Sequence, residues 1–170
     1  MAENNSSHHR HPHDSRSCLC LPRSIKPKMI MCESLMKTVF TVGVFDLLHV
    51  GHILLFKHAK ELGDRLVVAV QNDDVIKKYK PDAEMVNTTE ERLFMVKSIR
   101  YVDKVVTYDD VDEIVKKVDF DIFAVGPDQC HEGFQRAIRW CIEHGKEIIT
   151  IPRTEGVSSS LLRHLIANEQ

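Results

Sequence analysis

Thr41-Val-Gly-Val-Phe-Asp-Leu-Leu-His-Val-Gly-His52 is the most informative stretch of this chain. It starts inside a β-branched apolar run, about 38–44, breaks at Gly43 and Asp46, and enters a segment of helical period, about 50–62. A strand that turns at once into a helix is half of a parallel crossover unit. His49 and His52 stand three apart in the first turn of that helix. Both imidazoles therefore fall on one face, beside free backbone N–H groups and the positive end of the helix dipole, a place that favours phosphate. Gly51 between them has no Cβ, so a bulky anion can approach the backbone.

Outward from this turn the same alternation repeats. Short apolar strands are expected at about 38–44, 65–71, 104–108, 121–126 and 147–151, and helices at about 50–62, 89–100, 110–118, 132–144 and 158–167. Leu66 to Val70 is apolar without alternation, as a central strand covered on both faces should be. Thr88 followed by Glu91 is a capping-box start for the second helix. The pattern predicts an α/β domain, a five-stranded parallel sheet flanked by helices. Residues 72–88 read as the longest connection; it leaves the carboxyl end of the second strand, where open α/β sheets bind ligands, and is either a lid or a solvated loop.

The chain has 170 residues, 43% of them hydrophobic and 28% charged, which suits one soluble domain with a tail. Residues 1–36 mix His, Ser, Asn, Pro and Arg without apolar period, and predict a disordered leader ahead of a folded domain at 37–170. Met29, Met31 and Met36 near that boundary raise the expectation of an internal native start. Cys18 and Cys20 lie near His8, His9, His11 and His13, but without the folded spacer that separates paired zinc ligands. No apolar stretch approaches the roughly 20 residues needed to cross a bilayer, and no signal-peptide pattern is seen. Five cysteines in such a chain predict reduced thiols and a cytoplasmic setting. The net charge of −2 gives no basic surplus for nucleic acid; residues 37–170 hold 18 basic and 22 acidic side chains. Any phosphate site there must be built locally.

A second stretch, Ile151-Pro-Arg-Thr-Glu-Gly-Val-Ser-Ser-Ser160, leaves the last strand and opens the last helix. Arg153 can grip phosphate through its guanidinium fork. Ser158 suits an N-cap, and Ser159 and Ser160 add hydroxyl donors. First and last turns both open toward the carboxyl edge of one sheet, where they can face the same anion. Taken alone, a His-x-x-His pair is more often a surface or structural feature, and a metal reading would want a third ligand; here Gly51 and the strand-to-helix position after the first strand favour the phosphate reading.

With these motifs in hand, the sequence resembles the cytidylyltransferase family of nucleotidyltransferases with the His-x-Gly-His signature, most closely the glycerol-3-phosphate cytidylyltransferases. The likeness runs from Lys37 to Arg163 and rests on Gly43-Val-Phe-Asp-Leu-Leu-His-Val-Gly-His52, Ala59-Lys-Glu-Leu-Gly-Asp64, Ser98-Ile-Arg-Tyr-Val-Asp103 and Arg153-Thr-Glu-Gly-Val-Ser158. The resemblance implies a single Rossmann-like domain, a homodimer, and an enzyme that joins CTP to a small phosphomonoester such as glycerol 3-phosphate, giving a CDP-alcohol and pyrophosphate with magnesium or another divalent cation. It implies that His49 and His52 hold the triphosphate and stabilise the transition state. Arg153, Thr154, Gly156, Ser158 and Ser159 would hold the outer phosphates and help seat the base, with Gly43, Val44, Phe45, Asp46, Gly51 and Asp128 also against the nucleotide. Lys78 and Lys80 match lysines that approach the reacting phosphates, and Lys77 can substitute for either. Arg100 matches a functionally required arginine.

Each has a plainer alternative: Asp46 as a turn cap, Arg100 as a helix C-cap, Asp128 as part of a Gly-Pro-Asp turn. Val44 stands where many relatives have a threonine, and Ser158-Ser-Ser160 where Ser-Thr-Thr is common. Asp128-Gln-Cys-His-Glu-Gly-Phe-Gln135 departs from the glycerol-3-phosphate enzymes, leaving the acceptor alcohol open, with His131 a candidate for its pocket. Competing readings are an adenylyltransferase using ATP, like FAD synthetases and heptose-phosphate enzymes, and a non-catalytic nucleotide-binding module. The chain is too short, and lacks a Lys-Met-Ser-Lys-Ser loop, for an aminoacyl-tRNA synthetase.

Overall fold

The structure, a computed structural model, describes residues 36–79 and 85–168. The leader with its Cys18 and Cys20, and the expectation for Lys80, fall outside the described residues. The strands are β1 (Thr38–Gly43), β2 (Arg65–Gln71), β3 (Lys104–Tyr108), β4 (Ile122–Val125) and β5 (Glu147–Thr150). The helices are α1 (Val50–Glu61), α2 (Asp73–Tyr79), α3 (Thr89–Lys97), α4 (Val111–Lys117), α5 (Glu132–Glu143) and α6 (Ser159–Asn168). All strands pair in parallel, in the order β3-β2-β1-β4-β5. The order reverses between β1 and β4, and the loops at the carboxyl ends of these two strands flank the crevice expected there.

Leu66 to Val70 on β2 is at most 3% exposed, because apolar clusters cover both faces of the sheet. On one face Val42, Phe123 and Val125 pack with Val115, Phe134 and Cys141 of α4 and α5. On the other, Val39, Leu66 and Val68 pack with Phe56, Ala59 and Val96 of α1 and α3. Phe134 and Cys141 of α5 are core, with Trp140 packed against it.

Two expectations need correction. The connection 72–88 is not loop throughout, since α2 opens it; Asp73 and Asp74 occupy the favourable acidic positions of its first turn. Asp73 also exchanges hydrogen bonds with Thr89: its N–H donates to the hydroxyl (3.1 Å), and its carboxylate accepts from the Thr89 N–H (3.0 Å). The second expected helix, α3, ends at Lys97 rather than residue 100. Ser98 is its C-cap, with the hydroxyl donating to the Phe94 carbonyl (2.8 Å). The capping box forms as read, with Thr88 and Glu91 satisfying each other's backbone N–H.

Candidate active site

The signature turn is shaped by Phe45, which takes a left-handed backbone conformation (φ 56°) that costs a non-glycine residue on the order of 1–3 kcal/mol. Its ring folds back over Gly43, where a Cβ would sit 2.7 Å from Cζ, and meets His52 edge-on at 5.2 Å. Gly43 therefore serves the packing of Phe45. Similarly, the space left by Gly51 is taken by the His49 imidazole, whose Cε1 would lie 2.9 Å from a Cβ there. His49 is the N-cap of α1: its Nδ1 accepts from the Gly51 N–H at 3.1 Å. With Nδ1 an acceptor, the neutral ring carries its proton on Nε2.

The two imidazoles stack at 3.9 Å. Burial, and then the charge His49 would carry, push His52 down to about 4; burial, and then Arg153, lower His49. Both shifts favour the neutral rings at pH 7. The buried Nδ1 of His52 has no hydrogen-bond partner. Opposite them stands α6, capped by Ser158, whose hydroxyl accepts from the Leu161 N–H at 3.0 Å. Ser159 donates to the Leu47 carbonyl (3.3 Å), so the last helix is fastened to the signature turn.

These elements surround a cleft of about 1050 Å³. Of the residues singled out in the sequence, it gathers Gly43, Val44, Phe45, Asp46, His49, Gly51, His52, Asp128, Arg153, Thr154, Ser158 and Ser159, together with His131. Gly156 is absent from the lining and forms the turn ahead of α6 (φ 73°). Lys78 falls on α2, and Lys80 lies outside the described residues. Arg100 is not brought to the cleft: it lies past the end of α3, in the turn entering the amino end of β3, with its guanidinium 5.3 Å from the Tyr101 ring centre.

Asp46 is neither free nor a simple cap. Only 3% exposed, its carboxylate accepts from the N–H groups of Val86 (3.1 Å) and Asn87 (2.9 Å) and pairs with Arg163 of α6. It ties the end of the 72–88 connection to both the signature turn and the last helix. Arg153 reaches Asp128 at 3.3 Å.

Arg92, Arg163 and Gln129 were missed in the sequence. Arg92 is fully buried and donates to the carbonyls of Val44 (2.7 Å), Gln71 (2.8 Å) and Asn87 (3.3 Å), and pairs with Asp73. It thus clamps the ends of β1 and β2 to both ends of the connection. The available signal was its place four residues before Val96, on the buried stripe of α3.

A family model described as cytidylyltransferase-like matches residues 40–165, which span both halves of this cleft. The chain belongs to the cytidylyltransferase-like family. Similar proteins include the glycerol-3-phosphate cytidylyltransferase of Bacillus subtilis, 39% identical over 139 residues, covering 78% of this chain and 98% of that protein. The FAD synthase of Thermococcus kodakarensis is 45% identical over 121 residues, covering 67% of this chain and 78% of the relative. A lipopolysaccharide core biosynthesis protein from Thermoplasma volcanium shares the fold, with a TM-score of 0.57 and 28% identity over 70% of this chain and 97% of its own. As a cytidylyltransferase-like protein, the chain is a nucleotidyltransferase with a Rossmann-like fold. Among the described residues, no helix is long and apolar enough to cross a membrane.

Proposed function

We propose that the chain transfers the cytidylyl group of CTP to a small alcohol phosphate such as glycerol 3-phosphate. The observation that carries this reading is the stacked, neutral His49–His52 pair at the start of α1, facing Arg153 and the serine-capped start of α6 across one cleft. An oxygen of the acceptor's phosphate attacks the α-phosphorus; the new P–O bond forms as the bond to the β-phosphate breaks, and pyrophosphate leaves with that electron pair. His49 donates from Nε2 to the oxygens that gain charge, and Arg153 and the α6 amides hold the leaving pyrophosphate. With Nδ1 occupied by the Gly51 N–H, the neutral His49 ring keeps its one donor, Nε2–H, free for a phosphate oxygen. Lys78 and Lys80 are placed by the same reading against the reacting phosphates.

Among the described residues no three His, Cys, Asp or Glu side chains group as metal ligands. A divalent cation such as magnesium, implied by the family resemblance, would bind the triphosphate oxygens and neutralise charge there. The domain is proposed to act as a homodimer.

Adenylyl transfer from ATP is the second reading, favoured by the 45% identity to an FAD synthase. Pyrophosphate release with CTP or ATP against glycerol 3-phosphate, heptose phosphates and flavin mononucleotide separates the two. The expected outcome is turnover with CTP, reduced at least a hundredfold by His49→Ala and by Arg153→Ala. Faster turnover with ATP reassigns the base, and no turnover with any pair favours a binding module. Lys80→Ala is expected to reduce the rate far more than the melting temperature.

A further inference from the structure

The floor of the cleft is the place where β1 and β4 part. These strands are in register at only two positions, Val39↔Ile122 and Phe40↔Phe123, yet run on to Gly43 and Val125. On their other sides the ladders continue to the end, through Gly43↔Val70 with β2 and Val125↔Thr150 with β5. The sheet therefore opens between its two central strands at the carboxyl edge. Backbone groups that face such a gap need partners.

One side chain supplies them. Gln129 donates from Nε2 to the Val42 carbonyl at 3.0 Å, and its Oε1 accepts from the Gly126 N–H at 2.8 Å. Its own N–H closes the turn by donating to the Gly126 carbonyl (3.3 Å). A primary amide on a two-methylene arm does here what a peptide group does in a ladder. Its chemistry is specific: Glu keeps the acceptor and loses the donor, Asn is one methylene short, and Met keeps the volume and loses both. Val42, Gly126 and Gln129 all line the cleft. The intervening Asp128 is the residue that Arg153 reaches.

We propose that Gln129 is a positioning residue for the nucleotide half of the site: its amide holds the Gly126–Asp128 turn against β1 and so sets where Asp128 meets Arg153. The proposal rests on the reading that Arg153 grips the triphosphate. The Gln129 amide is engaged at both ends by Gly126 and Val42, so the effect of its removal is expected to pass through Asp128 and Arg153.

The test compares the full-length wild type with Gln129→Met and Gln129→Glu, reading the dissociation constants of CTP and ATP by calorimetry, the KM of each substrate, and the melting temperature. Both variants are expected to weaken nucleotide binding about tenfold, the scale of one or two lost net hydrogen bonds. The acceptor KM stays within about twofold, and Met, the volume-conserving change, melts within a few degrees of wild type. Should Met fail to fold, the Glu variant carries the same comparison. Unchanged nucleotide binding in a folded variant overturns the proposal, as does a parallel rise of both KM values with a large loss of melting temperature. A wild type that binds neither CTP nor ATP overturns this proposal and the phosphate-gripping reading together, whereas one that binds and turns over while the variants match it overturns this proposal alone.

Discussion

Arg92 and His52 show how a single side chain can be decided by its surroundings. Arg92 has no exposed surface and answers three carbonyls and the Asp73 carboxylate. Arg92→Met would take the guanidinium donors from all of them at buried or half-buried positions, and is expected to cost about 3–5 kcal/mol, read as a lower urea midpoint with unchanged slope. His52 acts through pH. Its folded pKa of about 4 lies below the unfolded value of 6.5, so the unfolded chain binds more protons between them. Stability is therefore full above about 6.5 and falls as the pH drops toward 4, by at most about 3 kcal/mol from this ring. His52→Asn should flatten that decline in urea titrations across pH 4 to 7; an unchanged slope would contradict it. That His49 and His52 share one face at a helix start was legible from their spacing and position alone, because a helix start presents N–H groups wherever it occurs. What Arg92 does was not, since its partners come from three separate segments of chain.

At the level of elements, the strands were legible almost to the residue: β1, β2 and β4 are apolar runs buried on both faces, and the edge strands β3 and β5 are short β-branched runs between helical segments. Helix ends were less so. The capping box of α3 was visible because both of its members lie within four residues, whereas the C-cap at Ser98 carries no glycine or proline to mark it. α2 escaped notice because its seven residues carry little apolar period, and its docking depends on Thr89, sixteen positions downstream of Asp73. The box yields an expectation of its own. Thr88→Ala removes the acceptor for the Glu91 N–H and should cost about 1 kcal/mol in chemical denaturation, with Thr88→Ser nearly neutral. Since Thr88 follows Asn87, which Asp46 holds, any loss of activity beyond that of stability would show that the α3 cap also orders the signature turn.

For the whole molecule, the composition conceals the site. An acidic domain gathers His49, His52, Arg153 and Arg163, with the starts of α1 and α6, on one edge of its sheet, and no average over the chain reports that. The fold places them there: β1 and β5 both end at that edge, and Ser159 fastens α6 to the turn after β1. Because the favourable field is local, nucleotide binding should stabilise this face directly. At a hundred times its dissociation constant, CTP is expected to add about 2.7 kcal/mol to the unfolding free energy, seen as a rise in melting temperature. Screening lengths of roughly 8 Å at physiological salt leave contacts inside the cleft largely intact, so the rise should survive 0.15 M salt. Arg153→Ala, whose side chain is more than half exposed, should scarcely change the melting temperature of the free protein yet abolish most of the CTP-induced rise at the same concentration. A variant whose CTP-induced rise equals that of wild type would place the triphosphate elsewhere than between α1 and α6.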